Sequence, residues 1–235
     1  MVRKMVIFFD LLIYTLLFAA RSTKGIKKLS KLEREAIKIN VDVMSCITGM
    51  MLSDRHIQQR SITGNGRFIF AQSGKLNKRE YFNLVLEIMK PFCSVNYIPY
   101  IKEWTDNRTN TLNSSISLTT MQLPCFTDLR NIWYSNSIKK VPLNIQNMLT
   151  PIALAHWICG DGSKQNEGIH LSVYAFSTFD VELLIKAFNN RYNIECSIHH
   201  TDRGPRIYIS KNYMDILRPL VSFHIVPSMK YKIGL

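Results

Sequence analysis

Paired cysteines are missing from this 235-residue chain. Its five cysteines, Cys46, Cys93, Cys125, Cys159 and Cys196, stand singly and far apart. No C-x-x-C pair or accompanying histidine falls at zinc-like spacing, which excludes a zinc finger or ribbon and argues against a secreted disulfide scaffold. They read as small apolar residues in a reducing compartment. Acidic side chains are scarce as well: 17 Asp and Glu face 30 Lys and Arg, a formal charge of +13. That balance points to a phosphate-bearing partner, nucleic acid first. A membrane-length apolar run is also lacking. Met5 to Ala20 is nearly continuous, but Asp10 interrupts it and basic residues flank it, whereas a spanning helix wants about 20 apolar residues. It reads as a signal-like or leftover translated extension, and a membrane is not an expected partner.

What is present suffices for a core: 46% of the residues are hydrophobic, among them 12 Phe, 10 Tyr and 3 Trp. Helical character runs from Lys31 to Ile39 and again from Asp42 to Asp54, with Asp42 as N-cap. The turn-prone Thr63-Gly64-Asn65-Gly66 precedes a strand at Arg67 to Gln72, and a helix from Lys78 to Met89 stops before Pro91. Strands are expected at Tyr97 to Trp104 and Ser114 to Thr120, across a polar loop from Asp106 to Asn113, and then a helix from Cys125 to Tyr134. The second half repeats the order. A helix from Pro151 to Asp161, a strand from Ile169 to Ala175 and a helix from Asp180 to Arg191 lead to strands near Cys196 to His200 and Arg206 to Ser210, then a short helix at Tyr213 to Leu217. An α-β-β-α-β-β-α order met twice implies an internal duplication, each half presenting a small antiparallel sheet. The expected fold class is α+β, with residues 1–30 an apolar and basic extension, 31–147 a first subdomain and 148–235 a second.

Two nonapeptides carry the chemistry, Ile47 to Arg55 (ITGMMLSDR) and Leu154 to Gly162 (LAHWICGDG). Each is an apolar helical run with small residues that ends in Asp. Small residues on one helical face permit close backbone approach, so the two helices should pack together and bring Asp54 beside Asp161. A carboxylate at a helix C-terminus opposes the macrodipole at a cost of about 0.3 to 1 kcal/mol, and two such ends repel each other. A cation should offset this. Oxygen-only ligation suits Mg²⁺ or another divalent ion, whose charge also stabilises the negative charge that develops in phosphodiester hydrolysis. Taken alone, either Asp could simply end a helix, with Gly162 as a C′ residue; the duplicated pair favours chemistry.

The pair resembles the doubled signature of LAGLIDADG homing endonucleases, particularly the single-chain intron-encoded type of fungi and organelles. Similarity covers roughly residues 31 to 235, through Phe68 to Phe82, Ser117 to Tyr134, Ile138 to Pro142, Leu149 to Gly162 and Val226 to Lys232. The resemblance implies paired αββαββα subdomains whose antiparallel sheets lie along the DNA major groove. It further implies a monomer, double-stranded DNA as partner, cleavage across the minor groove by metal at the two acidic helix ends, and a location in the mitochondrial matrix. On this resemblance Asp54 and Asp161 are the metal-binding carboxylates. Lys139 and Lys232 support the active-site water network and stabilise charge, and Gln72 is a polar residue near the centre.

Three departures stand out. Arg55 replaces the usual Gly, which in left-handed geometry would be strained by about 1 to 2 kcal/mol. Tyr174 stands where a counterpart of Gln72 is expected, which weakens the second site. His156 and Trp157 are bulkier than the signature and are expected to be buried. On the same resemblance, DNA would meet Gln58, Gln59, Arg60, Arg67, Gln72, Lys75, Lys102 and Arg108 in the first half, and His199, His200, Arg203, Arg206 and Lys211 in the second. Arg can read guanine and Gln adenine, while others reach only phosphate. A competing reading is a group I intron maturase that binds its host intron RNA, for which neither aspartate need hold metal; Arg55 and Tyr174 favour it. A membrane-attached structural protein rests on Met5 to Ala20 alone.

Overall fold

The computed structural model describes residues 28–235, so the apolar stretch from Met5 to Ala20 lies outside the described residues. Among the described residues no helix is long and apolar enough to cross a membrane. Helix α1 (Lys31–Ala36) opens on a capping box between Ser30 and Glu33. Helix α2 (Val41–Leu52) begins before Asp42, because Asn40 holds the extended backbone a cap needs and its Oδ1 accepts the Val43 N–H at 2.8 Å. Asp42 therefore sits in the first turn instead of capping the helix.

The first sheet has the strand order β1 (His56–Gln58), β2 (Arg67–Ser73), β4 (Thr111–Thr119), β3 (Tyr100–Asp106), all antiparallel. Helix α3 (Leu76–Met89) follows β2, and α4 (Pro124–Trp133) follows β4. A two-stranded ribbon, β5 (Tyr134–Ser135) with β6 (Ile138–Lys139), and a short α5 (Ile145–Met148) then lead to the second half. That half comprises α6 (Pro151–Asp161), β7 (Gly162–Gln165), β8 (Gly168–Ser172), α7 (Thr178–Tyr192), β9 (Cys196–Thr201), β10 (Gly204–Ile209) and α8 (Met214–Val221), and a 3₁₀ run at Pro227–Ile233 follows. Its sheet order, β7-β8-β10-β9, repeats the first. The α+β class and the two pseudo-symmetric antiparallel sheets agree with expectation. The polar loop between β3 and β4 is shorter than expected: both strands run on to a tight turn, where Asp106 Oδ1 accepts the Arg108 N–H at 2.8 Å and Asn110 takes a φ of 49°.

Alternation assigns each sheet an inner and an open face. Phe68, Phe70, Ile116 and Leu118 point inward from the first sheet, and Ile169, Leu171, Ile207 and Ile209 from the second, into one continuous core. Helices α2 and α6 run through its middle. All residues from Ser45 to Leu52 and from Ala153 to Cys159 are buried, which accounts for motifs that are apolar on every side. His156 and Trp157 are buried as expected. Burial brings the His156 imidazole down to about 4, and its Nδ1 meets the Tyr81 hydroxyl at 3.0 Å. Trp157 packs against Phe188, with ring centroids 5.9 Å apart.

Candidate active site

The two motif helices touch along their small residues. A Cβ on Gly49 would lie 2.0 Å from the Ala153 carbonyl oxygen, so only glycine lets the backbones meet there. Near the other end of the seam a Cβ on Gly160 would fall 2.7 Å from both Cβ and Oγ of Ser53. Ser53 and Gly160 each immediately precede an aspartate, so this contact brings Asp54 and Asp161 to the same end of the helix pair. The Asp161 carboxyl is pushed up to about 6, first by burial and then by the charge of Asp54.

Two lysines close the helix ends. Lys139 Nζ donates to the carbonyls of Ser53 (2.6 Å) and Arg55 (2.9 Å) at the end of α2. Lys232 Nζ donates to the carbonyls of Ile158 (3.0 Å), Cys159 (2.7 Å) and Gly160 (3.4 Å) at the end of α6. A helix leaves its last carbonyls without intrahelical partners and carries partial negative charge there, so an ammonium suits both needs. Burial lowers Lys139 to about 8 against the upward pull of Asp161 and Asp54; burial likewise brings Lys232 to about 8, aided by Lys78.

The lysines arrive from different parts of the chain, and each is braced by the opposite half. Lys139 ends the β5–β6 ribbon, and Asp180 Oδ1, at the start of α7, accepts the nearby Val141 N–H at 2.9 Å. Lys232 lies in the 3₁₀ run, where Glu80 Oε2 on α3 accepts the Ser228 N–H at 2.8 Å. Lys232→Met is expected to leave buried carbonyls without a donor and to destabilise the fold by roughly 1 to 3 kcal/mol. Chemical denaturation measures this; an unchanged unfolding midpoint would show that the contacts do not hold the helix end.

Register corrects two expectations about the departures. Ile57 pairs with Phe68, and Lys164, at the matching distance after Asp161, pairs with Ile169. Counting on, the position equivalent to Gln72 is Val173, not Tyr174. Val173 is buried and apolar, whereas the Tyr174 hydroxyl accepts from Arg206 Nε at 2.5 Å. The left-handed strain expected at Arg55 is absent, because neither Arg55 nor Gly162 has a positive φ. Gly162 is extended, at φ −68° and ψ 138°, and is not a left-handed C′ residue; its glycine is required sterically, since a Cβ would meet the Ile158 carbonyl oxygen at 2.6 Å.

Gln72 follows Phe68 and Phe70 on the inner face, and its Nε2 donates to the Lys78 carbonyl of α3. It is therefore on the helix side, not on the open face assumed for a DNA contact. The open face of the first sheet carries Gln58, Arg67 and Lys102, together with Tyr100 and Trp104. Arg67 is pinned, donating to Gln58 Oε1 from Nε at 2.9 Å. Gln59 donates to the Gly64 carbonyl, while Arg60, Lys75 and Arg108 are exposed in loops. On the second sheet His199 and Arg206 share the open face, while His200 alternates to the other side. Arg203 is exposed in the β9–β10 turn, and Lys211, past β10, is paired with Glu167.

Sequence reasoning missed His56 and the His170–Tyr208 neighbours of His199. His56 is on the open face two residues beyond Asp54, and its imidazole is held below the usual range by desolvation and by Lys139, Arg130, Arg55 and Arg67. His170 Nε2 lies 2.9 Å from His199 Nδ1, and the His199 and Tyr208 rings stack at 4.5 Å. A strand of three residues gives no alternation from which His56 could have been placed.

The model of the LAGLIDADG DNA endonuclease family matches residues 44–217. The chain belongs to this family. Both aspartates, Gln72 and Lys139 fall within the matched stretch, and Lys232 beyond it. Among relatives, the cytochrome b mRNA maturase bI2 of Saccharomyces cerevisiae is 32% identical over 83% of this chain, which spans about half (48%) of that protein's length. The DNA endonuclease I-ChuI of Chlamydomonas applanata is 27% identical over 80% of this chain and 92% of its own. Among solved structures, the homing endonuclease I-WcaI bound to its DNA recognition sequence shares the LAGLIDADG fold with a TM-score of 0.78, at 23% identity over 89% of this chain and 95% of that one.

Proposed function

We propose that this LAGLIDADG protein is a monomeric, divalent-cation-dependent DNA endonuclease that cuts both strands of a long asymmetric duplex to promote intron homing. The observation that carries the reading is the Ser53–Gly160 contact, which joins two acidic helix ends in one chain. Two subdomains, 31–147 and 148–235, would then lay their open faces along the major groove, with unlike side chains suited to a non-palindromic site. Gln58, Arg67, Lys102, His199 and Arg206 would read or grip the duplex there. A mitochondrial matrix location accords with the cytochrome b relatives.

The donors fit Mg²⁺ or a similar hard cation. Among the described residues no group of three or more His, Cys, Asp or Glu side chains comes together, so Asp54 and Asp161 would hold the ion with backbone, water and phosphate oxygens, and soft or histidine-rich ligation is not offered. When bound, the cation would supply Lewis-acid stabilisation of the phosphoryl oxygens and a more acidic water. Lys139 and Lys232 would keep the carbonyls at the helix ends occupied and place positive charge behind the aspartates. Gln72, fixed to the Lys78 carbonyl, would orient solvent in the first centre, a service the buried Val173 cannot give in the second.

The test is incubation of the folded chain with Mg²⁺ and a duplex spanning its intron-insertion junction. Double-strand scission is expected, with binding that weakens steeply as salt rises because many Lys and Arg displace counterions. Intact duplex after incubation rejects the reading, and a nick confined to one strand rejects cleavage of both. The second reading, a group I intron maturase that binds host intron RNA, is favoured by the names of the bI2 relatives. Tight intron-RNA binding unchanged by Asp161→Asn, from a chain that leaves DNA intact, supports it.

A further inference from the structure

Arg55 follows Asp54 directly and takes the position that Gly162 holds after Asp161. Its guanidinium carbon lies 4.4 Å above the centre of the Phe70 ring. A planar cation stacked on an aromatic face keeps its direction, and its fork of donors suits a phosphate better than a lysine would. The group is within electrostatic reach of both helix ends: it draws the Asp161 carboxyl down and lowers the ammonium groups of Lys139 and Lys232. Among the described residues it nevertheless joins no ion pair. Its Nε–H is sealed from solvent and has no acceptor. That donor is out of a ligand's reach, but among the described residues no hydrogen bond or ion pair holds the two terminal Nη groups, which leaves them open to an acceptor brought beside the acidic helix ends.

We propose that Arg55 binds a non-bridging oxygen of one scissile phosphate, as a fixed cation built into the first centre only. The inference rests on the nuclease reading and deepens it. The second half offers glycine at the equivalent place, so the two strands would be held unequally, one phosphate by a guanidinium and the other without it. The ligand is a phosphodiester oxyanion, and the fork geometry favours two parallel N–H···O contacts.

The test uses the full chain without metal and the junction duplex, carrying a single uncharged methylphosphonate at each scissile position in turn. The positions are first mapped by wild-type cleavage. On the unmodified duplex Arg55→Gln is expected to bind about tenfold more weakly. On one modified duplex the wild type should fall to the level of the variant and the variant should lose nothing further; on the other the tenfold gap should remain. Arg55→Lys, checked by thermal melting, should bind between the two and serves if the Gln variant does not fold. An equal gap on all three duplexes, or none on the unmodified one, overturns the assignment while leaving the nuclease intact. Wild-type protein that does not bind the unmodified duplex removes the nuclease reading and this inference together.

Discussion

Asp161→Asn is expected to abolish cleavage while making the metal-free protein more resistant to heat. Burial and Asp54 raise the carboxyl from 3.8 to about 6, so the folded state holds its proton more tightly than the unfolded chain does. Between these two values the folded state loses stability as pH rises, and above about 6 the whole cost is present. A shift of two units corresponds to at most about 3 kcal/mol, and screening of a partly exposed group leaves roughly 1 to 2 kcal/mol. The neutral amide removes that cost, which raises the melting temperature by roughly 2 to 8 °C. The gain should vanish below about pH 4, where the wild-type carboxyl is protonated in both states. With Mg²⁺ the order should reverse, because a cation that binds only the folded wild type stabilises it. Loss of the charge that organises the reaction is expected to slow scission at least about a thousandfold. A variant that cuts at the wild-type rate, or melts below the wild type at neutral pH without metal, contradicts the assigned role.

Gly49→Ala should be the most damaging glycine-to-alanine change among the described residues. The added carbon would sit 2.0 Å from the Ala153 oxygen, 2.9 Å from its carbonyl carbon and 2.8 Å from His156 Cβ. Backbone atoms of a neighbouring helix cannot swing aside as a side chain can, so α2 and α6 must move apart. Overpacking of this kind costs about 1 to 3 kcal/mol and sometimes more; contact with backbone puts the expected loss at or above roughly 3 kcal/mol. The same shift displaces Asp54 from Asp161, and a misplacement of about 1 Å can cost a hundredfold in rate. Gly64→Ala is the control: its added carbon approaches chiefly the Ser61 hydroxyl, a surface side chain free to turn. Denaturant titration and cleavage assays of both variants check the prediction, and equal stability for the two would show that the seam tolerates separation.

The motif helices were legible because buried helices are apolar all round and because an aspartate closes each apolar run, at the last residue of α6 and two residues past the end of α2. The order of the elements followed from the same periodicities. Less legible were β1 and β7, too short to alternate, and the Lys232 site, which depends on a 3₁₀ run meeting α6 from far along the chain. The Tyr174 expectation failed for a specific reason: strand side chains alternate, so an alignment off by one residue moves a side chain to the opposite face. Val173 and Tyr174 differ by just that step. Gln72 was doubly assigned from sequence, and the inner face chosen by Phe68 and Phe70 decides against its role on the open sheet.

The crossed anchors, Glu80 to Ser228 and Asp180 to Val141, bear on how such a chain can change over time. Strands on the open faces can drift one by one, each altering what is recognised without disturbing its neighbour across the pseudo-dyad. The lysine-bearing segments have no such freedom. A chimera that splices either half onto a foreign mate would carry a lysine whose tether was left behind, so viable recombinants should inherit both tethers as a set.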